Sequence, residues 1–140
     1  MTENFKIISS FIKDMSSETP DAQTFIFVRD NIPKYRLNID INSRAVKNGI
    51  IEVDTILKFT EQPEVLKKSH FEITYTSIVK VDETVSDKKE MEKIILCDVP
   101  NKIYPDLERI FLNLLTDSGY PGIKLEKKVD FTELYKQRAN

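Results

Sequence analysis

The stretch VPNKIYPDLERIFLNLLTDSGYPGIKLEKKVDFTELYKQR, residues 99–138, decides the fold. Large apolar residues recur at helical spacing after Pro105, and this pattern predicts a main helix that begins near that proline and ends at Gly119. An Asp-Phe-Thr-Glu capping box opens residues 130–138 and predicts a last helix over that segment. The stretch is rich in large apolar side chains and offers no catalytic group, so it favours a protein that works by contact.

Upstream of these helices the sequence predicts four strands. Residues 35–42 and 51–59 alternate apolar and polar side chains, as strands with one wet face do, and the Asn-Gly pair between them is a strong hairpin signal. Residues 70–81 alternate in the same way. Residues 5–13 are apolar on both faces, which predicts a strand covered on both sides. Four strands followed by helices predict an α+β fold, with a four-stranded antiparallel sheet and C-terminal helices packed on one face.

Two segments are predicted to lie outside the sheet and the main helices. Residues 15–34 contain many prolines, serines and threonines and read as a long connection. The apolar run 25–28 sits inside it, and loops with that much apolar content usually pack on something or bind something. Residues 82–93 are highly charged, and Ser86 is expected to cap a short helix there.

Length, charge and cysteine content narrow the class of protein. A chain of 140 residues is most simply one domain, residues 1–140. The 21 basic and 23 acidic residues leave a net charge of -2, which gives no basic surplus for nucleic acid. Cys97 is the only cysteine, which fits a reducing compartment. Charged residues interrupt the N-terminal segment and no apolar run approaches the roughly 20 residues that span a bilayer, so a cytoplasmic location is expected.

Three features could carry chemistry, and each has a plainer explanation. His70 could be a general base or metal ligand, or a polar residue on a strand surface. Cys97 could be a nucleophile, or a small buried thiol. Glu52 and Asp54 could be a paired-carboxylate site, or solvated strand charges. Because 3 glycines cannot build a glycine-rich phosphate loop either, we expect no enzymatic activity, no cofactor and no metal.

The order and spacing of several motifs resemble a known family. The segment VPNKIYPDLER at 99–109 resembles the Cys-Pro-Asn-x-Leu-Phe-Pro-x-Ala-Arg stretch of the SecB protein-export chaperones. YPGIKL at 120–125 and DFTELY at 130–135 are similar to the family's Phe-Pro-x-Leu-x-Leu and Asn-Phe-x-x-Leu-Phe. KDMSSETP at 13–20 resembles the family's Lys-Asp-Leu-Ser-x-Glu-x-Pro. The likeness covers nearly the whole chain.

The resemblance implies a fold, an assembly and a function. It implies a homotetramer, a dimer of dimers, that acts as an ATP-independent holdase, binds unfolded preproteins and delivers them to the SecA translocation motor. The family's apolar client groove would fall on Phe25, Phe27, Tyr35, Leu37, Ile39, Leu134 and Tyr135. Its acidic SecA-docking face would fall on Asp14, Glu18 and Glu72. Two alternatives stay open: a SecB-like chaperone dedicated to one antitoxin client, and a small-ligand-binding α+β domain.

Overall fold

The computed structural model describes residues 4–61, 68–125 and 129–139. The strands are β1 (Phe5–Glu18), β2 (Tyr35–Lys47), β3 (Ile50–Glu61) and β4 (His70–Val81). The helices are α1 (Ala22–Asn31), α2 (Lys88–Lys93), α3 (Val99–Asp117) and α4 (Phe131–Ala139). A 3-10 turn (Ile32–Lys34) leads into β2, and a π-helical turn (Ile94–Asp98) joins α2 to α3.

The four strands form one antiparallel sheet in the order β1-β4-β3-β2. The β2–β3 hairpin turns at Gly49, whose φ of 74° lies in the left-handed region that Gly adopts without a steric penalty. β1 and β2 are the two edge strands. The predicted α+β class, with a four-stranded antiparallel sheet and C-terminal helices, is confirmed.

One face of the sheet is the floor of the main core. Phe59 and Phe71 lie on adjacent strands of that face, and the ring of Phe111 on α3 meets Phe59 edge-on with centroids 6.3 Å apart. Leu107 and Leu115 of α3 are fully buried beside them. Each such side chain contributes about 1.5–3 kcal/mol to stability when it leaves water. The other face, which we call the outer face, carries alternating polar residues such as Glu52, Asp54, Lys58 and Glu72.

Helix α3 begins earlier than the sequence predicts. It starts at Val99, and Pro105 lies inside it. A proline does lie in the first turn of α3, as the sequence rule predicts, but it is Pro100 and not Pro105. Ile103 and Tyr104, upstream of Pro105, are buried, and their burial offsets the roughly 3 kcal/mol that an internal proline costs. The predicted end at Gly119 is confirmed, with φ of 103° just beyond the last turn.

The prediction of a long connection over residues 15–34 is wrong. β1 continues to Glu18, and most of the remainder is helix α1. Asp21 caps that helix, because its carboxylate accepts a hydrogen bond of 2.7 Å from the backbone N–H of Thr24. Val28 on the same helix is fully buried in the main core. The apolar run 25–28 therefore lies on a helix, with Val28 buried and Phe25 partly buried, whereas Ile26 and Phe27 are exposed.

Two smaller expectations also change. The cap of α2 is Asp87 rather than Ser86, since the carboxylate of Asp87 accepts from the backbone N–H of Lys89 at 3.2 Å. The predicted cover on both faces of β1 is absent in the described part of this single chain, where four apolar residues of β1 are 43–50% exposed. These are Ile8, Phe11, Ile12 and Met15.

At α4, Asp130 accepts from the backbone N–H of Glu133 at 3.2 Å, as the capping pattern predicts.

Candidate functional site

A large open cavity lies along edge strand β2. Its volume is about 880 Å³, within the range of sites that hold sizeable ligands. The walls come from the end of α1, the start of β2 and the segment that follows α3. The lining residues are Arg29, Ile32, Pro33, Tyr35, Arg36, Leu37, Ile39, Phe59, Pro121, Gly122, Ile123, Lys124, Leu125 and Val129. We call this the large cavity.

A second, smaller cavity of about 190 Å³ lies beneath α4. It is lined by Ile39, Asp40, Ile41, Leu96, Phe131, Leu134 and Tyr135. Because Ile39 borders both cavities, the two follow β2 one after the other from residue 35 to residue 41. We call the combined feature the β2 groove.

A buried hydrogen-bond network fixes the floor of the groove at the start of β2. The hydroxyl of Tyr35 accepts from the backbone N–H of Ser69 at 3.1 Å and donates to the Ser69 carbonyl at 3.3 Å. The Ser69 hydroxyl bonds to the hydroxyls of Tyr120 at 3.2 Å and Thr19 at 2.7 Å. The network joins the residue after β1, the start of β2, the residue before β4 and the segment that follows α3. It therefore holds the groove floor in one geometry, as satisfied buried polar groups do.

The structure brings five of the seven predicted client residues to the β2 groove. Tyr35 and Leu37 line the large cavity, Ile39 lines both, and Leu134 and Tyr135 line the smaller one.

Phe25 and Phe27, on α1, border neither cavity. The ring of Phe25 instead stacks on Tyr120, with centroids 5.1 Å apart, and packs against the main core. Phe27 is 41% exposed.

Sequence reasoning missed several lining residues, among them Ile32, Ile41 and Ile123. Ile41 could have been found, because it continues the alternation of Leu37 and Ile39 along one strand face. Ile123 comes from the segment after α3, far along the chain from β2, and no local pattern indicates that the two meet.

The three residues predicted as an acidic face lie together on the outer face. Register pairs Asp14 with Thr74, Ser16 with Glu72, and Glu18 with His70, so Glu72 lies on β4 between the positions of Asp14 and Glu18. The carboxylate of Glu72 is 3.4 Å from Lys58 Nζ and 3.7 Å from His70 Nε2. Asp14 and Glu18 are exposed. We call this group of three carboxylates the acidic patch.

Glu52 and Asp54 belong to a cross-strand ion network on the same face. Lys13 Nζ lies 2.8 Å from a Glu52 oxygen and 3.2 Å from an Asp54 oxygen, and Arg44 reaches Glu52 at 3.3 Å. The hydroxyl of Thr76 donates to Asp54 at 2.7 Å. The hydrogen bond from Lys13 lowers the pKa of Glu52 and raises the pKa of Lys13. Both carboxylates are thus held by cations in a cross-strand ion network.

Two further side chains that could take part in chemistry, Cys97 and Tyr104, are buried in the fold. Cys97 is buried, with its Sγ 3.4 Å from Thr132 Oγ1 and 3.6 Å from Asn101 Nδ2. Burial, with the nearby Glu108 carboxylate, raises the pKa of Tyr104 to about 12.

Across the described ranges, no three side chains of His, Cys, Asp and Glu gather as metal ligands would. No helix in those ranges is both long and apolar enough to cross a bilayer.

Comparison with known proteins gives one consistent family. The family described as preprotein translocase subunit SecB matches residues 1–140. A SecB-named protein from Pelagibacter ubique (strain HTCC1062) is 86% identical over 140 residues, the full length of both chains. The protein-export protein SecB of Parvibaculum lavamentivorans is 25% identical over 135 residues, which are 95% of this chain and 77% of that protein.

A solved structure shares the fold. The Mycobacterium tuberculosis Rv1957 SecB-like chaperone, in complex with a ChAD peptide from the Rv1956 HigA1 antitoxin, superposes with a TM-score of 0.63 at 12% identity. The match covers 89% of this chain and 91% of that one. The family match over residues 1–140, together with 86% identity to a SecB-named protein, shows that this chain belongs to the SecB family of protein-export chaperones.

Proposed function

We propose that this protein is an ATP-independent holdase that binds non-native preproteins in the β2 groove and delivers them to the SecA motor in the cytoplasm. The observation that carries the proposal is the groove itself, which presents apolar side chains along an edge strand. A non-native chain offers scattered apolar side chains, and their burial stabilises a complex in proportion to area with little demand on sequence.

The edge position of β2 adds a second source of affinity. An extended peptide can add to a sheet edge through main-chain hydrogen bonds, which every polypeptide can form. Leu37 and Ile39 project from the same face of that strand, so a client along β2 would meet them in turn. Because these contacts ask only for an extended backbone and apolar side chains, no nucleotide is needed to drive binding.

A homotetramer, arranged as a dimer of dimers, is part of the proposal. β1 supports it, since this edge strand of 14 residues exposes Ile8, Phe11, Ile12 and Met15. A long apolar edge strand is normally paired or covered. Several grooves in one particle would hold one client at several points and raise its effective affinity. Light scattering should give a mass four times that of the 16.3 kDa chain, and a monomer would reject this part.

The acidic patch is the proposed contact with SecA. Its carboxylates lie on the outer face, whereas Leu37 pairs with Phe59 on the face that carries the core. A partner could therefore dock on the outer face while a client occupies the β2 groove. Charged surfaces of this kind steer a partner and set its orientation.

A refolding assay tests the holdase proposal. Three unrelated slow-folding proteins are diluted from denaturant with and without this protein, and their tryptophan fluorescence is followed. The signal comes from the client alone, because this chain has no Trp. We expect delayed refolding of all three without nucleotide, and at least about tenfold weaker capture by Leu37→Asp, since a carboxylate in an apolar groove loses its hydration.

Asn38→Asp is the matched control for that variant. It places the same carboxylate one residue along β2, on the outer face, and should hold clients like the wild type. Retention of only one of several tested proteins would favour a chaperone dedicated to a single client, as the antitoxin peptide bound to the fold relative illustrates. Unchanged refolding of every protein would reject the proposal.

A further inference from the structure

His70 is the only histidine of the chain, and it lies inside the acidic patch. Its cross-strand partner on β1 is Glu18, and its Nε2 is 3.7 Å from the Glu72 carboxylate on its own strand. Side chains directly opposite each other on an antiparallel pair are close enough to interact. The imidazole is 38% exposed, so both solvent protons and a docked partner can reach it.

The backbone on both sides of this contact is held in place. Ser69, which precedes His70, is fully buried, and its N–H and carbonyl bond to the hydroxyl of Tyr35. The Ser69 hydroxyl bonds at 2.7 Å to Thr19, which follows Glu18 at the end of β1. The positions from which His70 and Glu18 project are therefore fixed relative to each other, and the imidazole stays beside the carboxylates.

Other charged groups also lie near the imidazole. Lys58 Nζ on β3 is 3.4 Å from a carboxylate oxygen of the patch, and Asp14 lies on β1. Arg36 is on the outer face of β2, two strands away, and Lys68 is two residues before His70. Lysine, arginine and carboxylate groups ordinarily keep their charge between about pH 5 and about pH 8, whereas an imidazole ordinarily changes its charge there. Among these groups, His70 is thus the one suited to respond to pH in that range.

We propose that protonation of His70 switches the acidic patch from a stronger to a weaker docking site for a cationic surface of SecA. This switch rests on the proposed docking of SecA at the patch and adds its regulation. The neutral imidazole leaves the three carboxylates to the partner. The imidazolium cancels one of their charges and competes with the partner's cations for the oxygens of Glu18 and Glu72. Docking is therefore stronger above the pH at which His70 loses its proton and weakens as pH falls through it.

Two substitutions at one position test the switch. Surface plasmon resonance with immobilised SecA at low salt compares the variants with the wild type at pH 8 and at pH 6. Because SecA has titratable groups of its own, each variant is read relative to the wild type at the same pH. His70→Gln stays neutral and should bind like the wild type at pH 8 but about three- to fivefold more tightly than it at pH 6. His70→Lys stays charged and should bind weakly at both.

A histidine moved along the sheet provides matched controls in the His70→Gln background. Thr74→His places an imidazole opposite Asp14 on the outer face, and the loss of affinity at pH 6 should return. Val46→His places it at the far end of β2, where Val46 is 56% exposed, and the loss should not return.

Nuclear magnetic resonance of the wild type gives a second measurement that needs no substitution. The protein is labelled at its one histidine and titrated with and without unlabelled SecA. Since linkage is reciprocal, a three- to fivefold effect on SecA affinity requires that bound SecA lower the midpoint of the imidazole titration by about 0.5 to 0.7 pH units. If His70→Gln does not fold by circular dichroism, this measurement decides the question alone.

The outcomes separate the switch from the docking beneath it. Equal pH dependence of SecA binding by the wild type and folded His70→Gln, or a midpoint that SecA leaves unchanged, overturns the switch while the docking proposal stands. No binding of SecA by the wild type at either pH overturns both, and the holdase proposal is then judged by its refolding assay.

Discussion

The β2 groove and the acidic patch lie on opposite sides of the same sheet, and they differ in polarity. The described lining of the groove is mostly apolar, whereas the acidic patch consists of Asp14, Glu18 and Glu72. Strand periodicity produces the separation, because successive side chains point to opposite faces. On β3, Lys58 pairs with Glu72 on the outer face and its neighbour Phe59 lines the groove. One sheet thus offers two surfaces that can be changed independently.

The largest expected effect concerns the boundary of the groove on α1. Phe25→Ala should lower the free energy of unfolding by about 2 kcal/mol, because a partly buried ring that stacks on Tyr120 leaves a void. Phe27→Ala should change it by less than about 0.5 kcal/mol, since this ring is 41% exposed. Urea denaturation measures both. Equal effects of the two substitutions would contradict the assignment of Phe25 to the core.

The same pair of variants sharpens the definition of the groove. Client capture by folded Phe27→Ala should match the wild type, because Phe27 borders neither cavity. A loss comparable to that of Leu37→Asp would extend the client surface onto α1.

The next effect tests the outer face. Asp14→Lys with Glu72→Lys should weaken SecA binding roughly tenfold at low salt and leave client affinity unchanged, because the patch and the groove do not share residues. Surface plasmon resonance with immobilised SecA measures the first quantity. Glu83→Lys with Glu92→Lys makes the same change in net charge at exposed positions outside the patch and is the matched control. Equal SecA affinity for both double variants would remove the patch from the proposal.

The smallest effect concerns the ion network beside the patch. Lys13 lowers the pKa of Glu52 below its ordinary value of 4.5, so the stabilisation is present above that value and is lost as pH falls through the folded pKa. Lys13→Met removes this contribution. Its free energy of unfolding should therefore fall less than that of the wild type between about pH 5 and about pH 3. Parallel acid denaturation curves for the wild type and Lys13→Met would contradict the coupling, and Lys80→Met serves as the control.

Local pattern was enough to predict the sheet. The alternation of residues 35–42 and 51–59 and the Asn-Gly turn specified β2, β3 and their pairing, because period and turn chemistry act over a few residues. Helix α1 was missed, since its capping residue Asp21 stands among Pro, Ser and Thr residues that also suit a loop. What favours the helix there is the burial of Val28 in the core, which only the folded chain supplies.

The groove was predictable in part for the same reason. Leu37 and Ile39 share a strand face, so alternation together with the family resemblance pointed to both. Ile123 and the cations Arg29 and Lys124 meet β2 only through the path of the chain around the sheet. Their joint position is a property of tertiary structure.

The most direct test of the account is methyl NMR of isoleucine-labelled protein with a permanently unfolded client. Ile39, Ile41 and Ile123 line the β2 groove, whereas Ile56 and Ile78 lie on the outer face. The account predicts that the client shifts or broadens the first three methyl signals and leaves the last two unchanged. Perturbation of Ile56 and Ile78 with unaltered groove signals would contradict it.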